Sequence, residues 1–370
     1  MRGHGQQAGA GGDRRPTIRD VARRAGVGVA TVSRVVNGSG SVAPLTRSKI
    51  QEAIEALGFV PSRAARSLRG VGRGFVGVVV SGVTQASVVE RLRGLAGALD
   101  ELGIMAALVD VADAAAVDRA LEVLVGEGIA NAIVSISLAV PSSWSRRLRE
   151  RGGLWISVDR VVEGWPSCAI DNVRGGELAG AYLVGLGHRR VGFVGDRPPP
   201  GLGFASSAER EEGVRRALGQ HGLVLHGSDC LHPPFGVDEA ARGVRQLLER
   251  ADPPSAVAVA SDVQAMGVLR AAAELGVRVP TELSIIGFDD IELAGAIGLT
   301  TVHQPLESSG RWAAGVLAEW LGGKDPAPAT TWLPLEVVER STTAPPGGWR
   351  AGEDHRDQDH ARTREEVGRA

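Results

Sequence analysis

The sequence predicts two unlike parts, a small all-α head over residues 16–61 and a larger α/β body over 75–345 built as two lobes. Three observations carry this reading. Residues 1–70 hold twelve Arg/Lys against four Asp/Glu, a net +8, so the rest of a chain with net charge −2 sums to −10. Within the head, apolar residues recur at helical spacing in three short stretches. Beyond Phe75, short β-branched runs alternate with Ala/Leu/Arg-rich amphipathic stretches, the pattern of parallel strands joined by helices.

Composition removes several classes. Cys168 and Cys230 are the only cysteines in 370 residues, which excludes a disulfide framework and a cysteine-built zinc site. No apolar run reaches the roughly 20 residues that span a bilayer. Met1–Arg15 is Gly, Gln and Arg rather than an apolar signal core, so a cytoplasmic protein is expected. A basic head on an acidic body suggests that the head meets a polyanion while the body does something else.

The elements follow in order. Residues 1–15 are Gly-rich and polar and read as a disordered arm. Thr17 can cap a helix over Ile18–Ala25, with Ile18, Val21, Ala22 and Ala25 on one apolar face. Gly26 then suits the left-handed helix end. A second helix, Ala30–Val36, turns Val32, Val35 and Val36 inward and leaves Thr31, Ser33 and Arg34 outside. Small Ala22 allows close approach across the turn Gly26–Val27–Gly28, the geometry of a helix-turn-helix. A third helix, Pro44–Leu57, places Ile50, Ala53, Ile54 and Leu57 on one face. An ordinary three-helix bundle would share this spacing. The +8 charge, which releases phosphate counterions on binding, favours DNA.

Residues 62–74 form a basic linker spaced by Gly70, Gly72 and Gly74. In the body, strands are expected at 75–80, 105–110, 131–136, 154–158, 190–194, 256–260, 283–288 and 300–303. Helices are expected at 88–102, 175–186, 208–221, 237–250, 262–275 and 308–321. Roughly 270 residues of this alternation is generous for one sheet, hence two lobes. No internal repeat stands out. Residues 346–370 lose the apolar rhythm and read as a disordered tail.

At this point the residues resemble a known family. Thr17-Ile-Arg-Asp-Val-Ala-Arg-Arg-Ala-Gly-Val27, Ala30-Thr-Val-Ser-Arg-Val-Val-Asn37, Leu57-Gly-Phe-Val-Pro-Ser62 and Ala65-Arg-Ser-Leu68 resemble the lactose-repressor/galactose-repressor (LacI/GalR) family of bacterial transcription regulators. The resemblance runs from about Pro16 to about Thr343. It implies that Val29, Ala30 and Arg34 read base edges, Arg34 by a bidentate pair with guanine and the other two by apolar contact. It implies phosphate and backbone contacts for Thr17, Thr31, Ser33 and Asn37. Residues 63–69, with Arg63, resemble a hinge helix that orders on operator DNA, and Leu68 matches the leucine that wedges into the central base step. Gly28, Ala43 and Ser62 depart from the usual Ser, Ser and Asn, and a lost hydroxyl cap costs about 1 kcal/mol.

The resemblance also implies a body like a type I periplasmic sugar-binding protein: two α/β lobes joined by three crossing segments, with a ligand between them. Matched positions are Arg210 for ligand hydroxyls or carboxylate, Asp289 at a strand's carboxyl end, and Asp159 in a second turn. Ser261 stands where the family often has Asn, Phe235 takes the place of a stacking aromatic, and Gln304 lies on a crossing segment. Ser81 and Thr84 are weaker candidates after the first strand. Each has a plainer alternative: Arg210 as a solvated helix arginine, Asp289 and Asp159 as turn formers. Asp262 reads equally well as a helix N-cap and is left out, and Asp171-Asn172 is divided between turn and ligand contact.

No Ser/His/Asp arrangement supports catalysis, the eight His are scattered, and Gly185-Leu-Gly187 lacks the third glycine of a dinucleotide loop. The expectation is therefore not an enzyme, with no cofactor and no metal site. It is a sequence-specific DNA-binding transcriptional regulator, a homodimeric repressor on a pseudo-palindromic double-stranded operator, controlled by a small-molecule effector of carbohydrate type. Two alternatives stay open: constitutive DNA binding, and an effector other than a sugar. Inducer and corepressor are not distinguished.

Overall fold

The computed structural model describes residues 16–37, 42–57, 59, 75–139, 141–197 and 201–347. It divides at Gly74/Phe75 into two compact units. The arm at 1–15, the hinge with Arg63 and Leu68, and the tail from residue 348 lie outside the described residues.

The head is three helices, α1 Ile18–Ala25, α2 Val29–Asn37 and α3 Pro44–Leu57. Thr17 opens α1 in an extended conformation, and the Asp20 carboxylate accepts from its backbone N–H at 2.9 Å and its hydroxyl at 2.6 Å. Gly26 closes the helix at φ 66°, and its N–H donates to the Ala22 carbonyl. Val21, Ala22, Val32, Ile50 and Ala53 form the buried centre, with Ile18, Ala25, Val35, Val36, Ile54 and Leu57 packed around it. These are the residues that helical periodicity selects. Helix α2 begins one residue earlier than expected, at Val29, because the Gly28 carbonyl already accepts from the N–H groups of Thr31 and Val32.

The body holds two six-stranded sheets. The first contains β1 Phe75–Val80, β2 Ala106–Asp110, β3 Ala130–Ile136, β4 Leu154–Val158 and β5 Ser167–Ala169, with β11 Thr330–Trp332 at its edge. The second contains β6 Val191–Val194, β7 Cys230–Leu231, β8 Ala256–Val259, β9 Ser284–Asp289 and β10 Thr300–His303, with β12 Glu336–Val338 at its edge. All pairings are parallel except β10 with β12. The chain passes between the sheets three times: after β5, between β10 and helix Leu306–Leu321, and between β11 and β12. That helix returns to the first lobe, where Ala313, Ala314 and Leu317 are buried in its core.

The eight expected strands are present within a residue or two: seven are largely buried apolar runs flanked by turn residues, and the edge strand β2, exposed or half-exposed along its length, is recognised by its short β-forming run alone. Strands β5, β7, β11 and β12 have only two or three residues, too short to carry a period. Helices Ala114–Leu121, Ser142–Glu150 and Glu292–Ala296 were likewise not expected.

One expectation is corrected outright: the body does contain an internal repeat. The strand orders β5-β4-β3-β1-β2 and β10-β9-β8-β6-β7 are the same order, offset by five strands. The first strand of each lobe leads to a helix carrying Arg-x-x-Gly, Arg91–Gly94 in Ala86–Glu101 and Arg210–Gly213 in Ser206–Gln220. Both helices cross a partner through glycine. A Cβ at Gly310 would collide with the Arg91 carbonyl, and one at Gly176 with the Arg210 carbonyl. Topology repeats without a matching repeat along the residues, because sheet order depends on which positions are buried rather than on which residues bury them.

Candidate functional site

A cavity of about 480 Å³ lies between the lobes, within the usual range of small-molecule sites. Its walls are the carboxyl ends of parallel strands, where α/β sheets place ligands. Ser81 follows β1, Ser137 follows β3 and Asp159 follows β4; Asp196 follows β6, Ser261 follows β8 and Asp289 ends β9. Ser81, Asp159, Arg210, Phe235, Ser261, Asp289 and Gln304 all line this one space. Thr84 does not.

Helix Ser206–Gln220 brings Arg210 inward, and its residue is only 7% exposed. The guanidinium donates to Asn172 Oδ1 through Nε at 2.9 Å and to the Ala260 carbonyl through Nη1 at 2.6 Å. It reaches Asp289 Oδ1 at 3.5 Å and lies 3.6 Å over the centre of the Phe288 ring. Arg210 is therefore not a solvated helix arginine. Nor is Asp289 merely a turn former: it is 6% exposed, and Gln304 Nε2 donates to its Oδ1 at 2.5 Å. Burial pushes the Asp289 carboxyl upward while Arg210 and Arg91 pull it back; burial pulls Arg210 downward while Asp289 opposes. Removing either partner would strand a buried charge, a loss of about 3–5 kcal/mol.

Asp289 and Asp159 both occupy left-handed backbone, at φ 114° and 67°. Such conformations cost about 1–3 kcal/mol and concentrate at functional sites. Asp159 accepts from Arg91 Nη2 at 2.7 Å and from the Ser137 hydroxyl at 2.6 Å.

Several residues of the site escaped the sequence reading. Arg91 is 3% exposed and donates to Gln304 Oε1 at 3.0 Å. A signal was present, since Arg91-Leu-Arg-Gly94 has the spacing of Arg210-Glu-Glu-Gly213. Asp196, raised above the ordinary carboxylate range by burial, and Trp332, 60% exposed, also line the cavity. Asn172 belongs to the cavity wall through its bond to Arg210, whereas Asp171 caps the helix Asn172–Gly185 by accepting from Arg174 N–H at 2.9 Å. The neighbours that read alike thus divide between the two roles.

Asp262 is not the N-cap of helix Asp262–Glu274. Ser261 caps it, accepting from Gln264 N–H at 3.2 Å and donating to Gln264 Oε1 at 3.0 Å. Asp262 is fully buried instead, accepting from Ile291 N–H at 2.9 Å and from Thr301 Oγ1 at 2.6 Å. Burial next to Asp289 pushes its carboxyl up to about 8.

In the head, Val29, Ala30 and Arg34 are exposed on α2, and Thr31 and Ser33 are half-buried beside them. Asn37 ends the helix. A short helix with exposed residues in its first turn, set across a tight turn from another, has the form of a major-groove reader. Among the described residues, no cluster of His, Cys, Asp or Glu could hold a metal ion, and no helix is long and apolar enough to cross a membrane.

A helix-turn-helix unit followed by a two-lobed body around a polar cavity defines a ligand-responsive DNA-binding regulator. Residues 17–62 match the bacterial regulatory proteins of the lacI family, and residues 181–343 match the periplasmic binding protein-like domain. The chain is 32% identical over 341 residues to the HTH-type transcriptional regulator CelR of Thermobifida fusca, spanning 89% of this chain and 98% of that protein. It is 31% identical over 335 residues to the HTH-type transcriptional repressor PurR of Vibrio atlanticus, spanning 88% and 98%. Among solved structures, the Lac repressor dimer bound to operator and the anti-inducer ONPF is similar with a TM-score of 0.74 at 25% identity. That match covers 90% of this chain and 100% of the other. A CelR–cellobiose complex is similar with a TM-score of 0.63 at 30% identity, covering 89% and 100%. The chain belongs to the LacI family. It is a DNA-binding transcriptional regulator controlled by a small-molecule effector, not an enzyme.

Proposed function

We propose that this regulator is a homodimeric repressor of a pseudo-palindromic operator, acts in the cytoplasm, and takes a carbohydrate as its effector. The observation that carries the effector reading is the buried Arg210–Asp289 pair on the cavity wall. Arginine donates only and ionised aspartate accepts only, so together they serve a hydroxyl-rich molecule. Phe235 and Trp332 add apolar faces for a sugar ring. Arg210, Asp289, Asp159, Ser261, Gln304 and Ser81 form the polar contact set, with Phe235 beside them. Similarity to a regulator solved with cellobiose supports the same class.

On the DNA side, Arg34 reads guanine and Val29 and Ala30 touch base edges, while Thr17, Thr31, Ser33 and Asn37 position the head. Arg63 and Leu68 act from the hinge, outside the described residues. Exposed Leu108 on β2 and Leu293 on helix Glu292–Ala296 supply apolar surface for a second copy. Ligand and operator are linked reciprocally, since each changes the other's affinity by the same factor.

The test is selection of duplexes from fragmented genomic DNA of the source organism by the purified protein, followed by sequencing. A short inverted repeat is expected, and the adjoining genes then indicate the effector to add. Failure to enrich any sequence, with or without sugars, would overturn the reading. Sedimentation at micromolar concentration should give a dimer; a tetramer would refute that part.

A further inference from the structure

The two lobes each present an arginine and an aspartate to the same cavity, at equivalent places in the repeated topology. Arg91 lies on the helix after β1 and Arg210 on the helix after β6; Asp159 follows β4 and Asp289 ends β9. Each arginine opens an Arg-x-x-Gly turn, and a partner helix packs a glycine on its carbonyl, Gly310 on Arg91 and Gly176 on Arg210. Each aspartate holds left-handed backbone at its strand end. Gln304, on the crossing segment, joins the pairs: its Oε1 accepts from Arg91 and its Nε2 donates to Asp289.

We propose that Arg91 and Asp159 form a second ligand clamp equivalent to Arg210 and Asp289, and that the effector is an uncharged polyol with hydroxyls facing both lobes. This deepens the carbohydrate reading and rests on it. Arg91 Nε is buried without a hydrogen-bond partner among the described residues, and Nη1 reaches only the Ser87 carbonyl at 3.5 Å. A purely structural arginine would satisfy its buried donors; Arg91 does not, and it lines the cavity with its Nη2 on Asp159 and Gln304, as a ligand-holding group would. In each clamp the guanidinium donates to one hydroxyl and the carboxylate accepts from its neighbour, the pairing a vicinal diol requires. The clamps also exclude acidic ligands. Their charges, two arginines and two aspartates, sum to zero, so an anion gains from the cations only what it loses to the carboxylates.

The experiment measures binding to the full-length protein by titration calorimetry. The panel contains neutral pentoses, hexoses and disaccharides beside the matching uronic acids and sugar phosphates. Neutral saccharides should bind and the acids should not. For the tightest neutral ligand, Arg91→Lys keeps the charge but loses the planar fork, and should weaken binding about 10- to 100-fold with little change in Tm. On wild type, some deoxy analogue lacking a single hydroxyl should lose a similar factor, and the two losses should not add when combined. The deoxy series needs no variant, so a poorly folding substitution does not spoil the test. Preference for the acids would overturn the double clamp and leave the cleft reading standing. So would neutral binding that Arg91→Lys and every deoxy analogue weaken additively or not at all. Binding of no panel member would overturn both.

Discussion

The backbone carbonyl of Arg210 lies against Gly176, at a distance that leaves no room for a Cβ. The crossing of helices Asn172–Gly185 and Ser206–Gln220 therefore fixes the height at which Arg210 enters the cavity. Gly213 repeats the contact from the other side, where a Cβ would meet the Val173 carbonyl. The arginine is placed by the absence of two side chains. Gly176→Ala should force the helices apart and cost about 1–3 kcal/mol of stability. Differential scanning calorimetry with and without ligand would show a lowered Tm and a reduced ligand-induced rise; an unchanged pair of Tm values would contradict the packing argument.

Arg210→Ala removes the cation of a buried pair that lines the cavity. The variant should lose its response to effector in an operator-binding assay while ligand-free operator affinity stays unchanged, if the effector is an inducer. A normal response would remove Arg210 from the site.

Arg34→Ala on the exposed face of α2 should weaken operator binding by about 1–3 kcal/mol and relax preference at one base pair in each half-site. Competition with single-base operator variants separates this from a phosphate contact, whose loss weakens all sequences alike. If Leu68 wedges between bases as proposed, Leu68→Ala should weaken operator binding and leave effector binding intact; unchanged operator affinity would remove the wedge.

Asp262 gives the body a dependence on pH. Its carboxyl titrates near 8 in the folded protein, against about 3.9 in an unfolded chain. Between these values the folded state holds a proton that the unfolded state has released. Stability from this group is thus full below pH 4 and is lost as pH rises towards 8. In Asp262→Asn, the amide oxygen can accept from Ile291 N–H and the amide nitrogen can donate to Thr301. Urea denaturation from pH 5 to 8 should show a decline for wild type that the variant lacks. Parallel profiles would place the titration elsewhere.

Much of this was legible in the residues. Val21, Val32 and Ile50 at helical spacing identified the head's core, and eight strands showed as short apolar runs, seven of them largely buried. Arg210 and Asp289 could be picked out because their motifs match a family, not because anything local marks them as adjacent. They are 79 residues apart, and no periodicity reaches so far. Arg91 was missed for the opposite reason. An arginine in an amphipathic helix, flanked by Glu90 and Arg93, looks solvated until its face is known.

The sequence alone determined the class of protein: a basic helix-turn-helix head, an acidic α/β body, and a family membership carried by short motifs. Those features are local, since capping, helical spacing and alternation depend on residues within a few positions of one another. Tertiary structure decided which neighbour does which job. Ser261 rather than Asp262 caps its helix, Asn172 rather than Asp171 holds Arg210, and Arg91 faces the cavity beside Asp159. Those outcomes depend on where two sheets and three crossings bring distant segments, and on glycines whose meaning lies in the carbonyl packed against them. Burial then turns position into chemistry, because a charge withdrawn from water must find a partner, and only the fold selects it.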